Sequence, residues 1–315
     1  MPQVSVIIPT FNRSNFIGQA IESVLTQSFQ DWELIVMDNG STDGTREILQ
    51  AYMKKDRRIS SDYDPGRSLV SARRSAVILA RGEFIAFLDD DDIFFANKLE
   101  TQVKFLNAHP ETMLVYSYVE MIDGDGKLLC TWPDKPAASY LELVRGNTIQ
   151  LNSALIRKEV FGKLAPSQPR LESCDDYELC LRIAKSFPIA FLPEKVGVYR
   201  IHPQNMSHKK VLRIKSEMKI YKRLWRQSPS PEEKTAIIRR VLALTYWRAS
   251  DALTHHNYSD AFLYYVMALY FNPFIGLQIS WGKFSNPFYR FIRPYVAMLY
   301  SGMRYIFAKG VSTYV

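Results

Sequence analysis

The run Phe84-Ile85-Ala86-Phe87-Leu88-Asp89-Asp90-Asp91-Asp92 passes from five apolar residues directly into four carboxylates. A short, continuous apolar stretch of this kind reads as a strand covered on both faces, the pattern of a parallel sheet sandwiched between helices. In such sheets ligands bind beyond the carboxyl ends of the strands. Four consecutive acids repel one another unless a cation or several hydrogen bonds compensate. At a strand end they therefore predict a site for Mg²⁺ or Mn²⁺ that also holds a diphosphate. Asp91 or Asp92 also suits the cap of a helix over residues 97–109.

The flanking sequence carries the same alternation. Upstream, Val4–Ile8 is a β-branched run that Pro9 is expected to stop, because proline removes a ladder N–H. Helical spacing follows over residues 15–27, then a strand over 32–37 and a helix over 43–54 with Ser41, Thr42 and Asp43 as cap candidates. A strand near Ile59 and a helix over 70–81 complete the pattern. Strand and helix in alternation argue for an α/β fold with a doubly wound sheet. Downstream, strands over 113–118 and 127–131 surround an Asp123-Gly124-Asp125-Gly126 turn. Further strands are expected over 152–156 and 196–201 and a helix over 176–185, so the sheet becomes mixed.

Forty Lys and Arg against 32 Asp and Glu leave a formal charge of +8, which points to a polyanionic neighbour without naming it. Residues 1–200 hold 23 basic and 27 acidic residues, whereas residues 201–315 hold 17 and 5. The basic excess belongs to the last third, and a boundary is placed at residue 208. Basic helical segments are expected over 212–225 and 232–255, broken by Pro229-Ser230-Pro231. The uncharged stretch Ala261–Gly282 is read as two buried helices turning at Asn272-Pro273, ahead of interfacial contact and of a membrane span. Cys130, Cys174 and Cys180 form neither a disulfide framework nor a C-x-x-C pair, which suits a reducing compartment. The N-terminus enters an apolar run without a charged region before it, so no signal peptide is expected.

Two further acidic sites stand out. In Leu34-Ile35-Val36-Met37-Asp38-Asn39-Gly40-Ser41-Thr42-Asp43, Asp38 ends an apolar strand. It can accept from a base imide or ribose hydroxyls, or serve as a turn residue. In Ser173-Cys174-Asp175-Asp176-Tyr177-Glu178, an acidic pair opens a helix, a pattern that capping alone also explains.

Taken with Val4-Ser5-Val6-Ile7-Ile8-Pro9-Thr10-Phe11-Asn12-Arg13, with Ala72-Arg73-Arg74, with Asp175-Asp176-Tyr177-Glu178-Leu179-Cys180-Leu181-Arg182 and with Tyr199-Arg200-Ile201-His202-Pro203, these motifs resemble glycosyltransferase family 2 over about residues 3–207. The resemblance implies a GT-A fold (a Rossmann-like, doubly wound mixed sheet) over residues 1–208, followed by an α-helical region over 209–315. It also implies an inverting, metal-dependent transfer from a UDP- or dTDP-sugar to a hydroxyl of a glycan or lipid-linked acceptor, in cell-surface polysaccharide synthesis. By that resemblance Asp38 receives the nucleobase or ribose, and Pro9, Thr10, Asn12 and Arg13 line the same pocket. Arg73 sits beside the nucleotide, with Asp89 and Asp90 near its ribose or sugar. Asp91 and His202 are the metal ligands and Asp176 the general base. Three positions depart from the pattern: Asn39 for Asp, Arg74 for Asn and Asp175 for Glu. Arg74 is expected to contact phosphate or pair with the acidic run.

Competing classes fit less well. A haloacid-dehalogenase-type phosphatase expects its D-x-D strand near the start of its core and Thr or Val two residues past the second Asp, where this chain has Ile93. A sugar nucleotidyltransferase expects a Gly-rich phosphate loop after its first strand, but Pro9-Thr10-Phe11-Asn12-Arg13 has no glycine. A non-catalytic nucleotide-sugar-binding module expects Asp91 or Asp176 to be missing. The basic helices carry no nucleic-acid-binding motif. They are read as a solvated face or as a contact with the anionic cytoplasmic leaflet, giving a cytoplasmic protein peripheral to the membrane.

Overall fold

The computed structural model describes residues 1–63, 69–164, 171, 173–203, 205, 210–228 and 230–254, and single positions at 262, 298 and 301. The chain divides into two compact units, Met1–His208 and Lys209–Val315.

The first unit is built on a nine-stranded mixed sheet. Its parallel half comprises β1 (Val4–Thr10), β2 (Trp32–Asp38), β3 (Ile59–Tyr63) and β4 (Phe84–Phe87), in the order β3-β2-β1-β4. Helices α1 (Ile17–Leu25), α2 (Thr45–Lys55) and α3 (Leu69–Leu79) make the crossovers. The sheet continues with β8 (Ala154–Arg157), β6 (Leu114–Ile122), β9 (Ile189–Arg200) and the two-residue β5 (Ile93–Phe94), and β7 (Leu128–Trp132) pairs with β6. Strands β4–β8, β8–β6 and β5–β9 are antiparallel while β6–β9 is parallel. Helices α4 (Lys98–Ala108), α5 (Tyr140–Arg145), α6 (Glu159–Lys163) and α7 (Asp175–Ser186) complete the unit.

Every residue of β1, β2 and β4 is buried, as the unbroken apolar runs require. Val6, Ile8, Leu34, Val36 and Ala86 pack with Ile17, Ile21 and Val24 of α1 in one core, each large aliphatic contributing about 1.5–3 kcal/mol. Pro9 does not end β1, which runs on to Thr10. Ile7 O accepts from Leu88 N, so Pro9, two residues on, faces the same side, where pairing with β4 has already stopped at Ile7 and Phe87. Its missing N–H therefore costs no ladder bond.

The strand starts are closed by side-chain hydrogen bonds. At the starts, Ser5 Oγ donates to Glu33 Oε1 (2.6 Å), which also accepts from Arg81 N (2.6 Å). At the far side, Lys98 is fully buried. Its Nζ donates to Gln102 Oε1 and Ala154 O, and burial pulls its ionisation down to about 7. Gly197 admits β5 to the sheet, since a Cβ there would lie 2.5 Å from Ile93 O. That pairing brings the acidic run beside β9.

In the second unit, α8 (Lys210–Gln227) and α9 (Pro231–Thr254) are joined by an Arg240–Glu217 ion pair of 2.9 Å. Pro231 takes the first helical position, where its missing N–H costs nothing, and Ser230 Oγ accepts from Glu233 N. Ile214, Ile220, Tyr221 and Leu224 of α8 are buried while Lys215, Lys219, Lys222 and Arg226 are exposed. Ala261–Gly282 lies outside the described residues apart from Phe262. Among the described residues no helix is long and apolar enough to cross a membrane.

Candidate active site

The ends of β1 and β2 are sewn together. Asn39 N donates to Thr10 O (2.9 Å), Asn12 N to Ser41 Oγ (2.9 Å), Thr42 N to Asn12 Oδ1 (2.8 Å) and Ser14 N to Asp43 Oδ2 (3.0 Å). Asn12 adopts a left-handed φ of 53°, which asparagine tolerates because its side chain can bond locally. Arg13 N is held by Thr45 Oγ1 (3.1 Å), which aims the Arg13 side chain from this loop. Asp38 is buried at the end of β2. Its Oδ1 accepts from Gly40 N (3.2 Å) and Ser41 N (2.8 Å), and Oδ2 has no hydrogen-bond partner among the described residues. Arg46 stands 4.0 Å from that oxygen and 4.0 Å over the Tyr63 ring.

The four carboxylates after β4 divide into two kinds. Asp92 is an anchor: its Oδ2 accepts from Asn152 Nδ2 (2.7 Å) and its Oδ1 from Arg200 N (2.9 Å), tying the loop to β9 and to the 3₁₀ turn Leu151–Ser153. This is why neither Asp91 nor Asp92 caps α4, whose N-cap, Asn97, makes no side-chain cap. Asp89, Asp90 and Asp91 meet cations instead. Asp89 Oδ1 takes Arg73 (2.6 Å), Asp90 Oδ1 lies 3.4 Å from Arg13, and Asp91 Oδ2 lies 3.0 Å from His202 Nε2 and 4.0 Å from Arg13. His202 stacks on Phe16 at 5.1 Å, and its backbone N donates to Asn205 Oδ1.

Burial and mutual repulsion dominate the electrostatics. Burial, then Asp91, push the Asp90 carboxyl up to about 7 against Thr10 and Arg13. Asp91 is raised by burial and Asp89 against His202 and Arg13, and Asp92 is raised well above the carboxylate range by burial and its neighbours. Such a cluster is short of positive charge. Among the described residues no three His, Cys, Asp or Glu side chains converge as a closed metal cage. The Asp91 and His202 donor atoms, 3.0 Å apart, nevertheless match adjacent corners of an octahedron with bonds of about 2.1 Å. That donor set fits a cation that takes its remaining ligands from phosphate and water.

Asp176 lies half-buried in the first turn of α7. Burial, then Asp175, raise its carboxyl to about 6, while Arg73 and the Tyr177 backbone act the other way. Arg73 NH1 donates to Asp175 Oδ2 (2.8 Å), so one guanidinium bridges α7 and the acidic run. Burial and the nearby acids raise the Cys180 thiol above its ordinary range, and the thiol is buried in the helix.

Thus Thr10, Asn12, Arg13 and Asp38 share one rim, and Asp89, Asp90, Asp91 and His202 adjoin it through Arg13 and Asp91. Arg73 ties this group to Asp175, the residue before Asp176, and the Arg73 and Asp89 charges both act on the Asp176 carboxyl. Pro9 lies in β1 beside Thr10. Arg74 is exposed and pairs with none of Asp89–Asp92. Asn152, Asn205 and Phe16 carried no signal in the sequence, because their partners are 60 residues away in chain for Asn152 or lie on loops whose course a motif does not give.

Residues 5–148 match the family model for Glycosyl transferase family 2. An Escherichia coli protein named UDP-Glc:alpha-D-GlcNAc-diphosphoundecaprenol beta-1,3-glucosyltransferase WfgD is 31% identical over 223 residues, 68% of this chain and 83% of its own. TuaG of Bacillus subtilis (strain 168), assigned as a teichuronic acid biosynthesis glycosyltransferase, is 31% identical over 230 residues, 71% of this chain and 89% of its own. An uncharacterized glycosyltransferase of Rickettsia bellii is 43% identical over 129 residues, but this chain spans only 18% of its length. Among solved structures, S. aureus TarS 1-349 in complex with UDP-GlcNAc aligns with a TM-score of 0.65 at 15% identity, over 98% of this chain and 92% of that one. Mannosyltransferase PcManGT from Pyrobaculum calidifontis, in complex with GDP-Man and Mn²⁺, gives 0.62 at 16%, over 98% and 88%. At those identities the likeness shows the fold, a GT-A sheet.

Proposed function

The chain belongs to glycosyl transferase family 2, and from that membership we propose that it moves a sugar from a UDP-sugar to a hydroxyl of a lipid-linked or glycan acceptor, with inversion, in bacterial polysaccharide synthesis. The observation that carries this reading is the gathering at one sheet edge of Asp38, Asp89–Asp91 and Asp176, whose neighbour Asp175 is tethered to Arg73. WfgD and TuaG, by their names, support the substrate class, and the UDP-Glc in WfgD's name supports uridine.

The roles follow from the chemistry of each group. Asp38, at the base pocket rim with Asn12 and Arg13, offers Oδ2 to a base N–H or ribose hydroxyl. Arg13, already among Asp90 and Asp91, adds a positive charge that a diphosphate can share. Asp91 and His202 would hold Mn²⁺ or Mg²⁺, which supplies charge stabilisation for the departing nucleoside diphosphate. An acceptor hydroxyl is too weak an acid to attack unaided, so Asp176, ionised above about pH 6, takes its proton as the new C–O bond forms. A single displacement inverts the anomeric centre and needs no nucleophilic side chain.

In this reading residues 1–208 form the catalytic domain. The helical unit presents Lys215, Lys219, Lys222 and Arg226 to an anionic membrane surface, placing the enzyme where a lipid-linked acceptor resides. The test is a panel of nucleotide sugars assayed for UDP release with Mn²⁺ and with EDTA. Turnover of a UDP-sugar that EDTA abolishes is expected, and neither turnover nor UDP binding would overturn the reading.

A further inference from the structure

Resting on the assignment of Asp176 as base, we propose that Asp175 is a positioning residue that fixes Asp176 through Arg73, making one guanidinium the joint between the donor-side acids and the base. The Arg73 side chain, on α3, is only 13% exposed and puts one terminal nitrogen on Asp175 (2.8 Å) and the other on Asp89 (2.6 Å). These partners lie 102 and 16 residues away in chain and belong to different elements. A planar guanidinium fork can hold two carboxylates at a fixed separation, which a lysine point charge cannot.

The backbone makes such a tether useful. Cys174 immediately precedes α7 with a left-handed φ of 63°, unfavourable for a side-chain-bearing residue, and no side chain caps the helix there. The first turn of α7 thus carries Asp175, Asp176 and Glu178 without a capping side chain at its N-cap. Glu178 is engaged by Arg182 at 2.9 Å. The hydrogen bond from Arg73 to Asp175 ties the Asp175–Asp176 pair to the nucleotide side. A base must be held within a fraction of an ångström of its proton donor, and misplacement by about 1 Å costs on the order of 100-fold in rate.

The titratable and charged groups facing Asp176 are Asp175 and the neutral Cys180 thiol from its own helix, Arg73 from α3 and Asp89 from the β4 loop. Helix α5 packs Leu143 O against Tyr177 Oη, and its Glu142 is taken up by Ala138 N. Asp175 raises the Asp176 carboxyl and Arg73 lowers it, so the two partners move it in opposite directions.

The test compares Asp175→Asn, Asp175→Glu and Arg73→Lys in the full chain, by steady-state transfer from a UDP-sugar across pH and by UDP titration. Asp175→Asn is expected to lower kcat by about 10- to 100-fold with donor KM little changed. Its acid limb should move down by about one pH unit, as the like charge is lost. Arg73→Lys, which keeps the cation but not the fork, should lower kcat with the limb little moved, and Asp175→Glu, which keeps a carboxylate for the fork, should restore most of the rate. Thermal melts of each variant separate positioning from stability. A fall in Tm with kcat per folded enzyme and the acid limb unchanged would overturn the proposal. If Asp176→Asn kept transferring, the base assignment itself would fall; if it lost transfer while Asp175→Asn moved nothing, only the tether would.

Discussion

Two places on the same sheet edge gather carboxylates, and they are stabilised by opposite means. After β4, the half-exposed Asp89 and the buried Asp90 and Asp91 crowd together and depend on Arg13, Arg73 and His202, with burial and repulsion pushing Asp90 to about 7. In the first turn of α7, the helix N-terminus favours negative charge. Asp176 keeps backbone help from Tyr177 and the Arg73 cation and rises only to about 6. In the proposed reading the first cluster receives positive charge and the second exchanges a proton near neutral pH.

The largest effect that separates them is on chemistry. Asp176→Asn should cost about 10²–10⁴-fold in transfer while UDP titration stays near wild type. Asp91→Asn should instead abolish the Mn²⁺-dependent rise in UDP affinity, measured by calorimetry with and without EDTA. Equal behaviour of the two variants would erase the distinction.

A second expectation concerns pH. As the proposed base, Asp176 can accept a proton only when ionised, so the rate should climb with pH through about 6, read from initial rates between pH 5 and 8. Stability should run the other way. The folded state holds a proton on Asp90 up to about pH 7, whereas the unfolded carboxylate releases it near 3.8. That contribution is present at low pH and is lost as pH rises to about 7. Mn²⁺ should therefore raise Tm more at pH 7.5 than at pH 5, and a pH-independent increment would argue against metal on the acidic run.

Smaller effects probe the anchors. Asp92→Ala strands the Asn152 amide and Arg200 N–H and should destabilise the fold by about 1–3 kcal/mol by chemical denaturation, with UDP affinity per folded enzyme preserved. Charge reversal at Lys215, Lys219 and Lys222 together should weaken flotation with anionic vesicles while leaving donor hydrolysis in solution intact. Unchanged flotation would remove these helices from the membrane.

The parallel half of the sheet was legible because its strands are apolar on both faces and its carboxylates fall at their ends, as at Asp38 and Asp89. What sequence could not give was pairing at a distance. Pro9 looks like a terminator until β4 is seen to stop two residues earlier. The two-residue β5 has no length to signal itself; it exists because Gly197 leaves room opposite. Within the acidic run, four identical residues differ only in what approaches them. Asp92 became an anchor because Asn152 and Arg200 reach it, not because of its own chemistry. Arg74 failed as a partner of that run because one residue around a helix turns a side chain by about 100°.

The most direct test is to assay Asp176→Asn and wild type side by side for UDP release from a panel of UDP-sugars, with UDP binding measured on the same preparations. The account predicts a variant that binds UDP like wild type and releases it from no donor at an appreciable rate. Sustained turnover by the variant, or loss of UDP binding with loss of turnover, would contradict it.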